Sequence, residues 1–202
     1  MNKKFWLRTL LVLSLFLCVF DTACYAKPST KKVHAAFMKQ VKKDKKEYMT
    51  FPGQKLPYAF ADLDNDKVDE LITMPGYGYC SEIVYKYIGG KVKMVTLMSQ
   101  GNFEKYYRKN KVLYAPMTGH QGVYSTGYFK YDKSKKKYVE VAYQRISYEA
   151  YKNGKVKQLK KPLVAYYVGK KKVSKKKFNK YVKKLTKGEK GQDLNALVWK
   201  KY

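Results

Sequence analysis

Apolar residues recur along this chain with two different periods. Between Thr30 and Tyr48 they fall at Val33, Phe37, Val41 and Tyr48, with Lys39, Lys42, Lys43, Lys45 and Lys46 at the positions between. Spacings of four and seven put one apolar stripe on a helix, and Ser29 or Thr30 can accept the first free backbone N–H groups. Phe51-Pro52-Gly53 stops that helix. From Leu56 to Val168 the pattern changes to short runs rich in Val, Ile, Tyr and Phe. It predicts strands at 56–61, 69–74, 82–88, 91–98, 111–115, 122–131, 137–147, 155–159 and 163–168. Turns are expected at Gly76-Tyr77-Gly78, Gly89-Gly90, Lys109-Asn110, Asp132-Lys133-Ser134 and Asn153-Gly154. After Ser174 the helical period returns: Phe178, Tyr181, Val182 and Leu185 form the stripe. Val173 and Phe178 occupy the positions of a hydrophobic staple, and Gly188 ends the helix. Leu194, Leu197, Val198 and Trp199 mark a last short element.

Helix, meander and helix define an α+β fold with antiparallel sheets. A weak repeat runs through it: Tyr85-Lys86-Tyr87 before Lys91-Val92, Phe129-Lys130-Tyr131 before Lys137-Tyr138-Val139, and Tyr148 to Tyr151 before Lys155-Val156. These hairpins look like those of propeller blades, but a propeller takes at least four blades of four strands, more than this chain holds. The expectation is one curved sheet or two packed antiparallel sheets, with helices on one side or end and lysines guarding the strand edges.

One loop stands apart chemically. In Asp62-Leu63-Asp64-Asn65-Asp66-Lys67-Val68-Asp69-Glu70, carboxylates fall at the first, third, fifth and ninth positions between two strands, 56–74 forming one hairpin. A hard divalent cation takes about 6–8 oxygen ligands. Asp62, Asp64, Asp66 and Glu70 offer carboxylates, and the Val68 carbonyl and water can complete the shell. An EF-hand is excluded, because its twelfth position needs a bidentate Glu where this chain has Thr73, followed by no helical sequence. Over residues 56–76 the loop resembles the calcium loop of FG-GAP or VCBS repeats. That resemblance implies Ca²⁺ held by the side chains of Asp62, Asp64, Asp66 and Glu70 and by the main chain of Val68. Lys67 departs from it, standing where such loops usually place Gly.

Residues 1–26 carry the order of a secretory signal: Lys3, Lys4 and Arg8, then an apolar run from Thr9 to Phe20, then Cys24-Tyr25-Ala26. That run of twelve residues is too short for a bilayer span, which takes about 20. A lipid anchor at Cys24 is disfavoured by Asp21. Cleavage after Ala26 leaves one domain, 27–202, with Cys80 as its single cysteine and no internal disulfide. The whole arrangement resembles small secreted proteins of unassigned function from Gram-positive gut bacteria.

Charge adds a partner class. The chain has 44 Lys and Arg against 15 Asp and Glu, a formal +29. Beyond the leader only Arg108 and Arg145 are arginines, which argues against bidentate phosphate or specific nucleic-acid recognition. A lysine field suits anionic wall polymers or glycans. Its densest part is the second helix, where Lys176, Lys180 and Lys183 are expected to face outward.

No nucleophile elbow, HExxH, zinc-type cysteine pair or phosphate loop is present. His120, in the Gly119–Gly122 loop, is the one candidate acid or base, with Cys80 as a conceivable nucleophile. The paired tyrosines 77/79, 106/107, 124/128 and 166/167 are expected to pack a sheet face; exposed beside that loop they would instead offer stacking surface to sugars. The sequence therefore reads as a secreted, monomeric, non-enzymatic, calcium-stabilised binding module. The alternative is a hydrolase or enzyme-inhibitor domain built on the Gly119–Gly122 loop.

Overall fold

The computed structural model describes residues 27–49, 51–76, 81–99, 101–120, 123–152 and 155–202. The leader, Cys80, Tyr77, Tyr79, Gln121, Gly122 and the Asn153-Gly154 turn lie outside them. Helix α1 spans Thr30–Tyr48, and the Ser29 hydroxyl accepts the Lys32 N–H at its start. Strands β1 Pro57–Ala61, β2 Glu70–Thr73, β3 Glu82–Ile88 and β4 Lys91–Met98 follow. Next come β5 Lys105–Tyr107, a 3-10 turn at Arg108–Asn110, β6 Val112–His120, β7 Val123–Asp132, β8 Lys137–Lys152 and β9 Lys155–Val168. The chain closes with β10 Lys171–Val173, helix α2 Lys175–Thr186, β11 Gln192–Asp193, a 3-10 turn at Leu194–Ala196 and β12 Lys200–Lys201.

The strands build two antiparallel sheets, ordered β12-β1-β2-β3-β4 and β10-β9-β8-β7-β6-β5-β11. Strand alternation gives each sheet two apolar faces. One face of each meets the other sheet: Ala61, Leu63, Ile72, Val84, Val95, Met98, Phe103, Tyr106, Leu113 and Tyr138 share one buried cluster. On the opposite face of the smaller sheet, Tyr58, Leu71, Ile83 and Tyr85 pack against Val33, Phe37 and Val41 of α1. On the far face of the larger sheet, Tyr107, Val112, Tyr114 and Tyr128 pack with Tyr181 and Leu185 of α2, and Phe178 meets the rings of Tyr128 and Tyr166. The molecule is thus layered helix, sheet, sheet, helix.

This corrects the expectation of helices on one side or end. Two sheets that bury one face against each other each keep a second apolar face, and each needs its own cover. The α+β class and the two packed antiparallel sheets agree with the pattern of the sequence, and the described residues form no propeller. Four short strands, β5, β10, β11 and β12, carry no pattern long enough to read. The segments 155–159 and 163–168 are one strand, because the ladder shifts register between Ser147 and Glu149 where Pro162 falls. There the missing proline N–H costs no ladder bond. Thr118, Gly119 and His120 belong to β6, paired with Ser125, Tyr124 and Val123, so the segment read as a tight loop is mostly strand. Val198 is 81% exposed and not part of the closing apolar element, whereas Leu194 is buried.

Lysines do mark the edges. Lys91 and Lys93 on β4, Lys171 and Lys172 on β10, and Lys200 and Lys201 on β12 are all exposed, which discourages pairing with a second chain.

Candidate metal centre

The acidic loop joins β1 to β2 and is fixed at both ends by packing. Leu63 is buried between the sheets, and Val68 packs toward α1. Within the loop the carboxylates organise the backbone. Asp62 Oδ1 and Oδ2 accept the N–H groups of Asp66 and Lys67, each at 3.1 Å. Asp66 Oδ1 accepts the Val68 N–H at 2.8 Å, and Glu70 Oε2 accepts the Leu63 N–H at 2.8 Å. Asn65 and Lys67 are left-handed, with φ of 58° and 62°. The sequence anticipates this turn at Lys67, and a side chain there costs roughly 1 kcal/mol.

Oxygens of Asp62, Asp64 and Glu70 lie within 4.8 Å of one another, an acidic cluster that could hold a metal ion. Asp64 and Glu70 are buried, 2% and 0% exposed. Asp66 joins them through a shared cation. Asp69 does not: its carboxylate turns away to His34 Nε2 at 2.7 Å, and the imidazole stacks on Phe60 with centroids 4.1 Å apart. The structure therefore brings Asp62, Asp64 and Glu70 within reach of one ion, leaves Asp66 at the exposed side of the loop, tied to Asp64 and Glu70 only through Lys86, and turns Asp69 away.

What the sequence reading missed are the cations. Lys86 Nζ lies 2.6 Å from Glu70 Oε1, 2.7 Å from Asp66 Oδ2 and 3.2 Å from Asp64 Oδ2. Lys111 Nζ is 3.0 Å from the same Asp64 oxygen, and an Arg108 guanidinium nitrogen is 2.7 Å from Asp62 Oδ2. Lys86 is 7% exposed and its ammonium also lies 5.8 Å from the centre of the Tyr131 ring. Arg108 opens the 3-10 turn, and Lys111 caps it in a left-handed conformation with φ of 56°, so one local turn directs two cations at one loop. A signal for Lys86 was present in the pattern. In β3 the positions facing the other sheet are Glu82, Val84, Lys86 and Ile88, so strand alternation sends two charged residues inward, where they need partners.

Burial opposes the charge on Lys86, but the charges of Glu70 and Asp64 and hydrogen bonds to Asp66 and Glu70 outweigh it and hold the ammonium above the ordinary lysine range. Burial pushes Glu70 up to about 8, against the pull of Lys86 and the Leu63 N–H. Burial also raises Asp66, yet its bond to Lys86 and the Lys86 charge prevail and lower it. One buried oxygen, Asp64 Oδ1, accepts no hydrogen bond.

The donor set fits a hard divalent ion: oxygens only, one of them buried and unsatisfied. Asp62, Asp64 and Glu70 are the groups that would hold it.

The second candidate surface lies on α2, which covers the far face of the larger sheet. Lys176, Lys180 and Lys183 are exposed on α2, and among the described residues none of the three takes part in an ion pair. Of the paired tyrosines, Tyr106 and Tyr107 are buried and Tyr128 and Tyr166 lie under α2. These four are packing residues. The His120 side chain lies outside the described atoms, as does Cys80. No helix among the described residues is long and apolar enough to cross a membrane. Comparison of the chain with family models, with curated proteins and with solved structures returns no match.

Proposed function

We propose that the protein is an extracellular, non-enzymatic module that holds an anionic polymer, such as a phosphate-rich wall polymer or an acidic glycan, on the lysine face of α2. Calcium at the acidic loop stabilises the framework that presents this face. The observation that carries the reading is the separation of charge. Asp64 and Glu70 are buried and all four loop acids are matched by cations of the fold, Lys86 within and Lys111 and Arg108 at the rim, while the lysines of α2 stay exposed and take part in no ion pair among the described residues. A diffuse lysine surface attracts polyanions by neutralising charge and releasing counterions, without a shaped pocket. Residues 1–26 supply the export signal, and the mature chain works as a monomer.

The test is retention of residues 27–202 on immobilised anionic polymer along a salt gradient. The parent protein should be retained at low salt and released steeply as salt rises. Charge reversal at Lys176, Lys180 and Lys183 should move elution to lower salt. Retention indifferent to both salt and charge reversal would overturn the reading.

A further inference from the structure

The middle of the acidic loop is not vacant of charge. The Lys86 ammonium sits within 3.2 Å of three carboxylates, those of Glu70, Asp66 and Asp64, and Glu70 and Asp64 are among the groups that would bind a divalent ion. It reaches them from β3, across the sheet, on a strand whose position is fixed by pairing with β2 and β4. The ammonium already occupies the point on which these three carboxylates converge, and a divalent ion drawn to the same point would be repelled by it.

We propose that Lys86 is the resident cation of this loop, and that a divalent ion binds there only by displacing its ammonium. The inference deepens the calcium reading and rests on it. The loop carboxylates set which ions fit, while Lys86 sets how tightly. The exchange is of one cation for another at the centre of the loop, where Lys86 alone touches Glu70, Asp66 and Asp64. Asp64 Oδ1, buried and without a partner, is the further ligand that the lysine leaves unused and a metal ion would take. Lys111 and Arg108 hold Asp64 and Asp62 from the rim, so they remain as positioning residues in either state.

Two variants separate this idea from the reading beneath it. Lys86→Met keeps the length and apolar stem and removes the charge; Lys86→Gln keeps a hydrogen-bond donor. Calcium chloride titrated into the full mature chain by calorimetry should bind the parent weakly and both variants more tightly, by at least about tenfold for Lys86→Met. Thermal melts should agree: with chelator the Lys86→Met protein melts below the parent, and with calcium it recovers most of the loss. If a variant folds only in calcium, circular dichroism with and without chelator reads the same dependence. Equal calcium affinity in parent and variants would overturn the displacement by Lys86 and leave the calcium reading standing. No calcium binding by parent or variants would overturn both. A Lys86→Met protein that calcium does not rescue, with a Lys86→Gln protein that gains no affinity, would make Lys86 a structural ion-pair partner only.

Discussion

Lys86 and Lys180 carry the same ammonium on the same four-carbon stem and do opposite things. Lys86 is 7% exposed and touches three carboxylates; Lys180 is exposed on α2 with no ion pair among the described residues. Burying a charge costs several kcal/mol that its partners do little more than offset, and removing one partner leaves the others uncompensated, so Lys86 belongs to the fold. In water an isolated ammonium contributes little to stability, so Lys180 is free to meet a partner. What separates structure from recognition here is the environment of a lysine, not its identity.

The contrast breaks first under truncation. Lys86→Ala leaves Glu70, Asp64 and Asp66 without their shared cation, and chemical denaturation in chelator should show a loss of roughly 3–5 kcal/mol. A loss below about 1 kcal/mol would mean that the site is wetter than its burial implies.

A buried acid with no cation sharpens the picture from the other side. Glu82 lies between the sheets, accepts the Phe103 N–H with one oxygen at 2.8 Å and leaves the other unpartnered. Burial pushes its carboxyl from 4.5 up to about 8. The folded state therefore keeps a proton that the unfolded chain releases, and stability falls as pH rises from about 4.5 to 8. Glu82→Gln supplies a neutral isostere. Denaturation at pH 8.5 should show it more stable than the parent by roughly 1–3 kcal/mol, with the gain vanishing near pH 4. A gain independent of pH would refute the assignment.

Calcium dependence gives a smaller effect. At ten times the dissociation constant, a bound ion adds only about 1.4 kcal/mol to stability. Melting with calcium and with chelator should show that increment in the parent, none in Asp64→Ala, and most of it in Asp69→Ala, whose carboxylate turns to His34. Loss of the increment in Asp69→Ala would place that residue at the site after all.

The smallest effect belongs to the exposed helix. Reversing Lys176, Lys180 and Lys183 should change folding stability by no more than about 0.5 kcal/mol per site, even while retention on polyanion falls. A large stability loss in denaturation would show that these lysines pack against the sheet.

Much of the fold was legible because it is encoded locally. The stripe Val33, Phe37 and Val41 gives α1 with the bounds read from the sequence, and Ser174 caps α2 as its position requires. Strands β3 and β4 fall on the residues that the pattern marks. The short strands were hidden because two or three residues cannot establish a period. β12, for instance, exists because Leu56 and Tyr202 exchange backbone hydrogen bonds across the length of the chain.

The acidic loop divides the same way. Its nine residues carry the turn that is left-handed at Lys67, since the carboxylate bonds to backbone N–H groups within the loop span seven residues or fewer. The sequence likewise determines the lysine excess and the two helical stripes. Which cations meet the carboxylates was decided only in three dimensions. Lys86 stands 16 residues beyond Glu70, and Arg108 and Lys111 stand 46 and 47 beyond Asp62 and Asp64. They arrive because β3 lies beside β2 and the second sheet closes over the first. Charge acts through space, so its partners follow from the packing of the sheets rather than from the order of the chain.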